Sequence, residues 1–119
     1  MLPSIVAFTS REAEESRPAG DRLISGDPRQ HITNQYSDPE GRFHVGQWRS
    51  SPGVWRVRYT EHEFCHLLSG RVEIESVSGE KSQFGPGSSF VIPAGFVGVW
   101  SVLEETVKLY VIYEPAPTA

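Results

Sequence analysis

The residues best equipped for chemistry fall in two short stretches, Tyr59-Thr60-Glu61-His62-Glu63-Phe64-Cys65-His66 and Lys108-Leu109-Tyr110. On an extended strand alternate side chains share a face. Tyr59, Glu61, Glu63, Cys65 and Leu67 therefore have one parity, and Lys108, Tyr110 and Ile112 share a face of a second strand. A carboxylate, a thiol, a phenol and an ammonium in one apolar space would perturb one another. Burial raises an acid and lowers an amine, and opposite charges act the other way. In a catalytic reading Glu63 is a general base, Lys108 holds an anionic substrate group, and Tyr59 or Tyr110 donates to a developing oxyanion. Cys65 has no histidine on its face to activate its thiol. In a binding reading the same residues hold a small amine- or carboxylate-bearing metabolite without turnover. In a structural reading Glu63 and Lys108 form an ion pair inside the core, with Cys65 as a small buried hydrophobe. Trp48, Trp55 and Trp100 are the aromatic residues available to wall such a space.

His62-Glu63-Phe64-Cys65-His66 also matches the H-E-x-x-H zinc-protease pattern. That chemistry needs a helix, because only helical spacing puts residues i and i+4 on one side. Tyr59-Thr60 before the motif and Leu67-Leu68-Ser69-Gly70 after it leave no room for one. On a strand the two histidines lie about 13 Å apart, too far to share an ion. The protease reading fails, and His66 is read as a packing or interface residue. His31 and His44 carry no signal of their own.

The elements that must position these groups are strands. Turn-forming residues recur at Asp38-Pro39-Glu40-Gly41, Ser51-Pro52-Gly53, Ser69-Gly70, Ser78-Gly79, Gly85-Pro86-Gly87 and Pro93-Ala94-Gly95. There Pro supplies a fixed φ and Gly a positive one. Between them lie β-rich runs near 31–36, 43–49, 53–59, 63–69, 71–77, 80–84, 89–92, 97–102 and 107–113. Many short strands at near-regular spacing predict an all-β sandwich or barrel. Residues 1–30 show no period and are broken by Pro3, Pro18, Gly20, Gly26 and Pro28, with room for a helical turn at Ser10–Ser16. They are expected to form an irregular arm, followed by a barrel over 31–113 and a solvated tail over 114–119.

At 119 residues the chain has a one-domain length. Its net charge of -4 and lack of a basic cluster argue against nucleic acid. No apolar run approaches the roughly 20 residues needed to cross a bilayer. The N-terminus turns acidic where a signal peptide would be apolar, and the single cysteine cannot form an intrachain disulfide. A cytoplasmic protein is the expectation.

Gly46–Gly53, Glu61–Gly70, Phe84-Gly85-Pro86-Gly87 and Phe90-Val91-Ile92-Pro93-Ala94-Gly95 follow the two-motif plan of the cupins. Glu63-Phe64-Cys65, Gly95 through Trp100 and Lys108-Leu109-Tyr110 more narrowly resemble the small cupins grouped with ureidoglycine aminohydrolase and an ethanolamine-utilisation protein. The resemblance spans roughly residues 23–113. It implies an antiparallel double-stranded β-helix, a jelly-roll barrel of the RmlC-like kind, with a cavity between its sheets and a homodimeric assembly. It also turns Tyr59, Glu63 and Cys65 inward, to meet Lys108, with Trp48, Trp100, Tyr110 and Glu61 as further ligand-binding candidates.

Metal-bearing cupins place two histidines before the motif glutamate and a third after the Pro-x-Gly turn. Those positions here are Val57, Tyr59 and Gly98, so only Glu63 is retained. Glu61 could join it in a shifted register, but an all-oxygen pair is weak for transition metals. No cofactor is expected, and the metal-dependent aminohydrolase reaction of the understood relatives is in doubt. Three roles stay open: enzyme, small-molecule binder and dimeric scaffold. Phe64, Leu68 and His66, with parity opposite to Glu63, face out of the bore and call for a facing sheet or a second copy.

Overall fold

The computed structural model describes residues 2–117 and contains nine β-strands and, among those residues, no helix. In chain order they are β1 (Glu14–Ser16), β2 (Leu23–Gly26), β3 (Gln30–Ser37), β4 (Phe43–Ser50), β5 (Gly53–Arg58), β6 (His62–Ser76), β7 (Lys81–Phe84), β8 (Ser89–Ile92) and β9 (Val97–Tyr113). All pairings are antiparallel.

Two long strands make the sheet curl. The first half of β6 and the last half of β9 pair with each other and extend outward to β8 on one side and β4, β3 and β1 on the other. The second half of β6 and the first half of β9 also pair, and carry β7 on one side and β5 and β2 on the other. The result is two layers joined through β6 and β9, a jelly-roll barrel. Trp48 from one layer and Trp55 and Trp100 from the other meet in its interior, with ring centroids 5.8–6.4 Å apart. Cys65, Leu67, Val72, Ile74, Ile92, Val102 and Tyr110 complete the buried cluster.

Three local expectations change. Ser69-Gly70 is not a turn between two strands but a bend inside β6, marked by register shifts between Leu67 and Val72. Gly70 adopts φ +91°, which there serves to carry the strand from one layer to the other. Likewise 97–102 and 107–113 form one strand. The arm is also less irregular than its composition suggests: Ser10–Ser16 forms no helical turn, and β1 and β2 attach to the edges of β3 and β5. Backbone groups at those edges gain partners by pairing, which composition does not reveal.

Candidate functional site

A cavity of about 390 Å³ opens between the layers on the side of β3, β4 and β5. Its lining includes Gln30, Asn34, His44, Trp48, Trp55, Tyr59, Glu63, Trp100, Lys108 and Tyr110. The strand alternation on β9 places Lys108, Tyr110 and Ile112 together on the cavity side.

At the floor Lys108 Nζ lies 3.0 Å from Glu63 Oε2, with both side chains almost fully buried (5% and 7% exposed). The Tyr59 hydroxyl donates to Glu63 Oε1 at 2.9 Å. Both carboxylate oxygens are thereby engaged. The ammonium also sits 4.5 Å above the Trp48 ring and 4.4 Å above the Trp100 ring. Cation–π attraction of this kind strengthens when the cation is desolvated. Burial, the largest single effect, lowers Lys108, but the Glu63 carboxylate together with Cys65 outweighs it and holds the amine above its ordinary value. Burial, followed by the Glu63 charge, pushes the Tyr59 phenol well above its usual range.

Two expected wall residues lie elsewhere. Cys65 is wholly buried behind Lys108, 3.7 Å from its ammonium, and is absent from the lining. Burial pushes its thiol up to about 12, so it is no nucleophile near neutral pH. Glu61 precedes β6 and does not share the strand face of Glu63. It accepts from the Thr60 N–H at 3.0 Å and lines a hollow that adjoins the cavity, shares Tyr59 and Glu63 with it, and continues to Arg58 and Pro18. Because Glu61 lies before β6 begins, the shifted register that would pair it with Glu63 on one strand face does not occur.

The donor chemistry does not fit a metal. The carboxylate faces an ammonium where a cation would have to sit, and neither Val57 nor Gly98 can ligate. Among the described residues no three His, Cys, Asp or Glu side chains converge.

Sequence reasoning missed Asn34 and His44. Gln35 is an extra residue in β3, because Asn34 pairs with Gly46 and Tyr36 with Val45. Thr9 of the arm clamps Gln35 through two hydrogen bonds of 3.1 and 2.7 Å, and Asn34 reaches the cavity wall. Bulges of this kind re-aim side chains and leave no period-2 signal in the sequence. Gly46 was the available clue. A Cβ there would meet the Tyr110 hydroxyl at 2.5 Å, so only glycine lets that hydroxyl cross β4 to Asn34.

A profile of the EutQ-like cupin domain matches residues 37–110. Among solved structures, a protein of unknown function from Pseudomonas syringae pv. tomato superposes with a TM-score of 0.78 at 22% identity, covering 84% of this chain and 43% of that one. The Clostridium difficile EutQ protein gives 0.66 at 19% identity, covering 73% and 64%. A putative ethanolamine utilization protein Q from Salmonella typhimurium gives 0.67 at 13% identity, covering 91% and 100%. The chain thus spans less than two thirds of the first two. A comparison with curated proteins finds no match. At these identities the likenesses show the fold alone, whereas the profile covers well over half of the chain: the protein belongs to the EutQ-like cupin family.

Proposed function

We propose that the protein binds a small metabolite in the barrel cavity, and that Tyr59, backed by the Glu63–Lys108 pair, handles a proton on it. The observation that carries this reading is the position of the pair. Two opposite charges have been taken out of water at the floor of an open cavity, where an apolar pair of similar volume would be at least as stable. In this reading the Lys108 charge is matched by Glu63, and it serves as a counter-ion to the carboxylate in place of the anion anchor expected from the sequence. A binder without turnover is the second reading, favoured by the two donors already on Glu63, which weaken it as a free base. The aminohydrolase reaction of the metal-bearing relatives is not carried over, because the donors do not suit a metal.

Denaturing the purified protein and analysing the released fraction by mass spectrometry should find one small molecule near equimolar amount. Incubation with a metabolite extract should deplete a compound that Tyr59→Phe binds but leaves intact. Binding without depletion by the wild type selects the second reading. No retained molecule and no depletion would overturn both.

We further infer a homodimer through the outer face of the β3–β4–β9–β6–β8 layer. Tyr36, Val45, Val111, Phe64 and Val91 fall in register as one apolar row across it. Phe64 and Val91 are 41% and 59% exposed. The arm's Val6 and Phe8 line a hollow with Tyr36 and Val45 at one end of the row. Sedimentation at micromolar concentration should read twice the 13.3 kDa chain mass, and Phe64→Asp should return the single-chain mass. A monomeric wild type would overturn this inference.

A further inference from the structure

The hydrogen bonds of the cavity wall form a chain whose direction can be worked out. His44 Nε2 lies 3.0 Å from the Gly41 carbonyl, which can only accept, so that nitrogen carries a proton. In the neutral imidazole Nδ1 is then an acceptor, and it takes the Ser37 hydroxyl proton at 2.6 Å. The Ser37 oxygen accepts from Asn34 Nδ2 at 2.9 Å. This leaves Asn34 Oδ1 to accept from Tyr110, whose hydroxyl donates to it at 2.8 Å. One backbone carbonyl on the surface hairpin thus commits the Tyr110 proton away from the cavity.

Tyr59 is committed in the same sense, because its proton goes to Glu63. Both phenols therefore offer the cavity lone pairs only. The Trp100 indole N–H is fully buried and directed toward the Tyr59 hydroxyl without a well-formed hydrogen bond, so it is closed to a ligand. Gln30 at the mouth can serve as either donor or acceptor. The ion pair carries no net charge. Phenol lone pairs, indole faces and the Glu63 carboxylate all repel a ligand anion, and for a ligand cation their attraction is opposed by the Lys108 ammonium already held there.

We infer that the cavity selects an uncharged planar molecule that donates N–H hydrogen bonds and accepts one, such as a primary amide, and that it rejects the corresponding carboxylate. This deepens the ligand-binding reading above and rests on it. Asn34, with Ser37 and His44 behind it, is the positioning residue for that choice, because it decides what Tyr110 presents. The Gly46 opening and the Gln35 bulge are the backbone features that bring Asn34 and Tyr110 together.

Titration calorimetry with 2-naphthamide, 2-naphthoate and unsubstituted naphthalene tests it. The wild type should take the amide at least about tenfold more tightly than the carboxylate, a range expected when buried polar groups lose their match. Asn34→Ala frees the Tyr110 proton to donate, so the ratio of amide to carboxylate affinity should shrink several-fold. Asn34 is exposed on its strand, and an unchanged melting temperature would confirm that the variant folds. Tyr110→Phe should weaken the amide by about fivefold, the loss of one hydrogen bond. Naphthalene binding with no amide preference, or a preference that survives Asn34→Ala, would overturn this inference and leave the cavity reading standing. Failure of all three probes to bind would overturn both.

Discussion

Glu63→Gln is expected to cost about 3–5 kcal/mol of folding stability, the range for removing one partner of a buried ion pair. The substitution keeps the shape but leaves the Lys108 ammonium buried between two indole rings without a counter-charge. Lys108→Met should cost a comparable amount, for it strands the carboxylate with Tyr59 as its one remaining donor. The double variant should recover most of the loss, since no unpaired charge remains. For a chain of this length each single change corresponds to roughly 10–20 °C in melting temperature. Single variants that melt within a degree or two of the wild type would show that the pair is not formed. The same cluster sets the alkaline limit. Cys65 and Tyr110 are each pushed up to about 12 by burial, and Tyr59 and Lys108 also lie above their ordinary values. All four hold protons in the folded chain that the unfolded chain releases first. Their contribution is full well below pH 9, where half of an unfolded cysteine is already ionised, and falls as pH rises toward 12. The melting temperature should be level through neutral pH and decline steadily above pH 9. A maximum above pH 10 would contradict this assignment.

Gly70→Ala is expected to cost about 3 kcal/mol or more, combining two penalties. The residue sits at φ +91°, where an L side chain is strained by about 1–2 kcal/mol. An added Cβ would also run into the Thr106 side chain and the Glu105 carbonyl across the β6–β9 bend. Overpacking of this kind costs a further 1–3 kcal/mol or so. Thr106 is itself fully buried and tied by its hydroxyl to the Glu104 carbonyl, so it cannot give way cheaply. Gly79→Ala is the control. It has a similar φ of +93° but open space around the Cβ, so only the strain component should appear. Equal losses at the two positions, read by urea unfolding, would show that the β6 bend is not sterically tight.

The turn residues were enough to locate most strands, because Pro and Gly restrict φ locally and their effect does not depend on distant contacts. Alternation was enough to group Lys108 with Tyr110 and Glu63 with Cys65, since side-chain parity on a strand is a property of the backbone. The all-β class followed from such local regularities, and the family from the resemblance of whole motif segments to the cupin plan. Four matters were decided only in the folded chain. Whether Gly70 ends a strand or bends one depends on β9 pairing with β6 on both sides of it, and a positive φ suits either outcome. Parity also put Glu61 with Glu63, but Glu61 lies before β6 begins and its carboxylate turns to the Thr60 N–H. Asn34 and His44 gave no sign of their place, because the bulge at Gln35 that re-aims Asn34 is held by Thr9, 26 residues away. The charge state of the site belongs to the same category. Glu63 and Lys108 are 45 positions apart in the chain, and only the barrel brings them to 3.0 Å. Parity told which way each side chain points along its own strand. What it meets there is set by the pairing of distant strands.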